Sequence, residues 1–143
     1  MESIQPTYIS AVQQMRAYRA LRADVHEVLD LYSLNSSQWA ILGHLYEHLE
    51  GATVGELAHL LDVKAPLISI LTIQLLERNL LGTKETTSDK RTKCLLISSD
   101  GISLVNEVER LLVTHSQPMF ATLSKRDIRS YHKVLQTIIS YKN

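Results

Sequence analysis

Cysteine occurs once in these 143 residues, at Cys94. No internal disulfide can therefore staple the chain, and the expected compartment is a reducing cytoplasm. Glycine and proline are also scarce, at five and three, so little interrupts long helices. The chain has no excess of either charge, with 15 basic against 15 acidic side chains. This removes any molecule-wide attraction for polyanions, so a contact with nucleic acid has to be built locally. No apolar run approaches the roughly 18 residues that a membrane span needs. No basic residue precedes Arg16, and no secretory leader is expected. A hydrophobic content of 45% with 21% charged residues suits one globular domain with a core of its own.

What is present is helical periodicity. From Thr7 to Ser33, residues Tyr8, Ala11, Met15, Tyr18, Leu21, Val25, Val28 and Tyr32 recur at steps of three or four, one stripe along a long helix. So long a stripe exceeds what one small core covers, which predicts a partner helix. Asn35 and Gln38 have capping-box spacing, as do Thr53 and Glu56, and each opens a helix. The first carries Trp39, Leu42, Leu45, Tyr46 and Leu49 towards a stop near Gly51. The second is short, with Leu57, Leu60 and Leu61 facing inward. After a turn at Asp62-Val63 a further helix runs from about Ala65 to Arg78, with Asn79 as a left-handed cap.

The period then changes. Leu80 to Thr87 and Lys93 to Ser98 read as two strands around the polar turn Ser88-Asp89-Lys90-Arg91-Thr92, a hairpin with a charged tip. Ser98 or Ser99 caps a helix with Leu104, Val105, Val108, Leu111 and Leu112, which exits near Pro118. Ser124 to Asp127 caps the last helix, with Ile128, Tyr131, Leu135 and Ile138 on one face. The predicted fold is mostly α with a small β hairpin, in the order α-α-α-α-β-β-α-α. It divides into residues 1–34, 35–99 and 100–143 within one compact domain.

Two helices joined by a tight turn and followed by a charged hairpin form a winged helix-turn-helix pattern, whose second helix fits the major groove. With long apolar helices on both sides, the arrangement resembles the MarR family of transcription regulators over almost the whole chain. The most specific match is Asp89-Lys90-Arg91, then Cys94-Leu95-Leu96-Ile97-Ser98, then Gly101. The resemblance implies that Arg91 enters the minor groove while Asp89 holds its guanidinium. It implies a DNA surface of Lys64, Pro66, Ser69, Ile70, Gln74, Lys84, Asp89, Lys90, Arg91 and Lys93. The chain departs from the family at Lys64, where a small capping residue is usual. It departs again at Ile70, where a basic residue is frequent, and at Thr83, where Arg is common. Local charge supports the surface: residues 64–93 hold six basic and three acidic side chains, a net +3, and the remainder is −3.

The resemblance further implies a homodimer joined by the first and last helices, for which Ile9, Val12, Ile128, Tyr131, Leu135, Ile138 and Ile139 are candidates. It also implies a double-stranded, pseudo-palindromic operator, and repression relieved by a small aromatic or anionic effector. Tyr18, Arg19, Arg22, Trp39 and Tyr46 are the candidate effector residues. His44 and His48 stand at i and i+4, a candidate metal-ligand pair that His26 or His115 would complete, and Cys94 reads as a packing residue. No nucleophile elbow, phosphate loop or metalloprotease motif is present, so no enzyme, cofactor or membrane partner is expected. The alternative function is a winged-helix protein-interaction module with weak or no DNA binding, presenting Leu67, Ile70 and Ile73.

Overall fold

In the computed structural model the backbone is described for residues 8–86 and 89–142, and side chains for 10–85 and 93–141. Helix α1 spans Tyr8–Asp30, α2 Ser36–Glu47, α3 Val54–Leu61 and α4 Ala65–Glu77. Strand β1, Ala52–Thr53, lies between α2 and α3, and β2 (Leu81–Thr86) and β3 (Asp89–Ile97) form the hairpin. Helices α5, Ser99–Phe120, and α6, Lys125–Lys142, complete the chain.

Both expected capping boxes form. Asn35 Oδ1 accepts from Gln38 N at 2.8 Å while Gln38 Oε1 accepts from Asn35 N at 3.1 Å. Thr53 and Glu56 repeat the exchange at the start of α3. Ser98 is the cap of α5, accepting from Gly101 N. Asn79 and Asp62 adopt left-handed conformations, with φ of 58° and 52°, and end α4 and α3.

The expected element order lacks one strand. Ala52–Thr53 is too short to leave a period, yet it pairs antiparallel with β3 (Ala52↔Leu95, Thr53↔Cys94), giving a three-stranded sheet in the order β1-β3-β2. Gly51 makes this approach possible: at φ 91° an added Cβ would stand 2.5 Å from Leu95 O. Helix α2 stops at Glu47, before Leu49, which is exposed. Helix α5 continues through Pro118 to Phe120, since a proline this near the end removes only one ladder bond. Leu60, expected inside, faces solvent.

The core gathers Leu29 of α1, Ile41, Leu42 and Leu45 of α2, Leu57 of α3, Ile68 and Leu75 of α4, and Val108 of α5, all fully buried. All three expected parts of the chain contribute to it. Helix α6 contributes nothing: Tyr131, Val134, Leu135, Ile138 and Ile139 are all exposed. The first half of α1 likewise leaves Met15 and Tyr18 open, whereas Val28 and Leu29 are buried. A groove of about 300 Å³ lined by Ala17, Leu21, Phe120, Leu123, Ile128 and Tyr131 joins these open faces.

Candidate nucleic-acid interface

The chain bends by 113° between α3 and α4, within the range of helix-turn-helix units. The apolar side of α4 explains its seating: Ile68, Leu71, Thr72 and Leu75 are buried. Its opposite side presents Lys64, Pro66, Leu67, Ile70, Ile73 and Gln74 to solvent, with Ser69 half-buried. Ile70 is 56% exposed and stands with the exposed Leu67 and Ile73 at steps of three along one helix face, a grouped apolar patch. Lys64 is the N-cap residue but makes no side-chain capping bond, and its ammonium stays on the surface. Gln74 has a structural task as well, since its Oε1 accepts from Nε2 of the buried Gln38 at 2.9 Å, tying α4 to α2.

The hairpin extends further than its apolar residues indicate. β3 begins at Asp89, paired with Thr86 after an irregularity in the ladder between Glu85 and Thr86. Asp89, Lys90 and Arg91 therefore belong to β3 and not to the turn, because main-chain pairing resumes beyond the irregularity at Thr86↔Asp89. Their side chains, and with them the expected Asp89–Arg91 pairing, lie outside the described residues. Lys84 and Lys93 are exposed on adjacent strands, Lys93 directly opposite Glu85.

The base of the ribbon is tightly held. Ser98 Oγ donates to Asn79 O at 2.6 Å and accepts from Gly101 N at 3.0 Å. A Cβ on Gly101 would stand 2.3 Å from Leu80 O, so only glycine lets α5 begin against the end of α4. The Ser98 and Gly101 positions of the motif thus anchor the wing. Arg78, one of the six basic side chains of residues 64–93, is a bracket. Its Nη1 and Nη2 donate to Ser33 O and Tyr32 O at 3.0 and 2.7 Å, fastening α4 to the turn after α1. No local spacing reveals that bond, because the partners are 45 and 46 residues away.

A second feature is a groove of about 590 Å³ between α2 and α5. Trp39 and Tyr46 line it with Gly43, His44, Glu47 and Glu109, and Tyr46 Oη donates to Asn106 Oδ1 at 2.9 Å. Tyr18, Arg19 and Arg22 do not line it; they sit on α1, where Tyr18 and both arginines are exposed. His44 and His48 stack with ring centroids 4.2 Å apart, and His48 Nδ1 lies 2.9 Å from His44 O. Burial, then the neighbouring His48, holds His44 below its ordinary pKa. Neither His26 nor His115 completes a metal site there, since His26 pairs with Asp30 and His115 with carboxylates of α1.

No protein-family model matches the sequence, and no curated protein does. Solved structures do match. The chain resembles the DNA complex of MepR from S. aureus at TM-score 0.70 and 23% identity, covering 94% of this chain and 98% of that one. It resembles a MarR-family transcriptional regulator from Rhodococcus sp. RHA1 at TM-score 0.81 and 17% identity, over 94% and 96% of the two chains. The fold is that of the MarR regulators. NadR, solved in complex with 4-hydroxyphenylacetate, shares it at TM-score 0.78 and 17% identity, over 96% of each chain. Within this fold, α3 and α4 are the helix-turn-helix, β2 and β3 the wing, and α1, α5 and α6 the flanking helices.

Proposed function

We propose that this protein is a homodimeric transcription regulator of the MarR family, which binds a pseudo-palindromic duplex site, represses by occluding a promoter, and carries out no chemistry. The observation that carries this is the outward face of α4, solvent-exposed at Pro66, Leu67, Ile70 and Ile73, beside a ribbon locked at its base by Ser98 and Gly101. In this reading Arg91 enters the minor groove and Asp89 orients it. Lys64, Lys84, Lys90 and Lys93 meet phosphates, while Ser69 and Gln74 reach base edges and Ile70 meets thymine methyls. The uncovered apolar faces of α1 and α6 support the dimer, which sets the two wings about one helical turn of DNA apart.

Selection of bound sites from random or genomic DNA, followed by titration over a salt series, tests the proposal. Affinity falls with salt at a slope of about −0.9 per neutralised phosphate. Arg91→Ala weakens binding about tenfold, close to 1.4 kcal/mol. Absence of duplex binding at low salt rejects the regulator reading. Undiminished binding by the variant rejects the wing contact alone. For the effector we propose the α2–α5 groove, where Trp39 and Tyr46 supply aromatic walls. Its own carboxylates, Glu47 and Glu109, favour an uncharged or cationic aromatic compound over an anionic one.

The exposed Leu67, Ile70 and Ile73 favour a second reading, in which α4 docks a protein and not DNA. Ile70→Lys separates the two: it abolishes capture of a protein partner but preserves or raises affinity for a polyanion.

A further inference from the structure

Three side chains of α1 and α5, away from the wing, converge on one point. Asp24 and Glu27 stand three residues apart on α1, so their carboxylates share one helix face. His115, in the second half of α5, meets both. Its Nε2 lies 2.9 Å from Asp24 Oδ1 and 3.1 Å from Glu27 Oε2, and all three atoms lie within 4.8 Å of one another. Among the described residues this is the one group of three or more ligand-type side chains whose atoms converge in this way.

We propose that Asp24, Glu27 and His115 bind one divalent transition-metal ion of the zinc type. Two ligand atoms held about 2.1 Å from a metal at octahedral or tetrahedral angles are roughly 3.0–3.4 Å apart, and the two measured distances to Nε2 are close to that edge. Charge points the same way. Two carboxylates around one imidazole carry −1 even with the ring protonated, and −2 with it neutral, a deficit that a dication cancels. The imidazole separates this set from the all-oxygen shells preferred by magnesium and calcium. Exposure of the His115 and Glu27 side chains, 38% and 74%, leaves the remaining positions to water. The ion replaces the proton on Nε2, which is released to solvent. Because α5 leaves the sheet directly after Ser98, an ion at this point clamps α1 to the helix that carries the wing base. The site does not depend on whether the wing meets DNA.

Titration of the full chain with Zn²⁺ alone, in competition with a chromophoric chelator, tests the site. One ion per chain is expected. His115→Ala removes the nitrogen ligand itself and weakens binding by at least about 100-fold, the top of the range for loss of a mere outer-shell partner. Glu27→Gln, on an exposed side chain whose replacement leaves the core intact, weakens it at least tenfold. His44→Ala with His48→Ala leaves it unchanged, as does millimolar Mg²⁺. Failure of the unmodified chain to bind Zn²⁺, or loss only in the His44/His48 variant, overturns the proposal. So does equal affinity in the Glu27→Gln protein.

Discussion

The middle of this molecule is closed and its two ends are open. Between Asn35 and Gly101 each helix begins on a side-chain cap or ends on a left-handed residue, and Ile41, Leu42, Leu45, Leu57, Ile68 and Leu75 are fully buried. Helix α6 has an equally regular apolar face and its own reciprocal Ser124–Asp127 cap. Yet no large side chain of its outer three turns is buried. The difference shows that amphipathicity alone does not close a core, because an apolar stripe is satisfied only when topology brings a second surface to it. In the middle that surface comes from the same chain. At the ends it comes, in our proposal, from a second copy.

The contrast can be broken most severely from the middle. Leu42→Ala leaves a cavity among fully buried neighbours and should cost about 2–5 kcal/mol in denaturant unfolding; a cost under about 1 kcal/mol means that the centre is loosely packed. At the open end, Ile138→Asp should leave the far-ultraviolet spectrum intact but weaken self-association by about 100-fold, near 2.7 kcal/mol. Sedimentation equilibrium reads this directly, and an unchanged dimer assigns α6 elsewhere. Arg78→Gln removes two main-chain bonds from an exposed guanidinium and should cost about 1 kcal/mol. The slope of DNA affinity against salt stays unchanged, which separates this bracket from the cations of the wing.

The smallest expected effect concerns His44. Its folded-state pKa lies below the ordinary value near 6.5, so the unfolded chain takes up that proton first as pH falls. The associated stability is complete above about pH 6.5 and declines below it. Thermal unfolding between pH 7.5 and 5 should show this decline reduced in His44→Gln. An identical pH profile in the variant means that the ring titrates normally.

Much of the fold was legible because its signals are local. Asn35 with Gln38, and Thr53 with Glu56, depend on a three-residue spacing that works in any context. The left-handed Asn79 follows from what its side chain tolerates. The misreadings fall where the deciding partner is remote. Two residues of β1 become a strand only because Leu95 and Cys94 arrive beside them. Leu60 has the right spacing to face inward, but the core closes on Leu57 and Ala58, with Leu61 packed against it, and leaves Leu60 at the surface. The surface residues of α4 were also legible, as the complement of a clear core stripe. The structural ties of Gln74 and Arg78 were not, since their partners are 36 or more residues away.

By itself the sequence determined where helices start and stop, which side of each is apolar, and that a polar ribbon follows the fourth helix, since all three depend on contacts within a few residues. Only the tertiary structure decided which apolar faces found a partner, which cations were already bonded to main chain, and that Asp24, Glu27 and His115 meet. These are matters of distance between segments far apart in the chain, and loop closure and packing, not periodicity, set that distance.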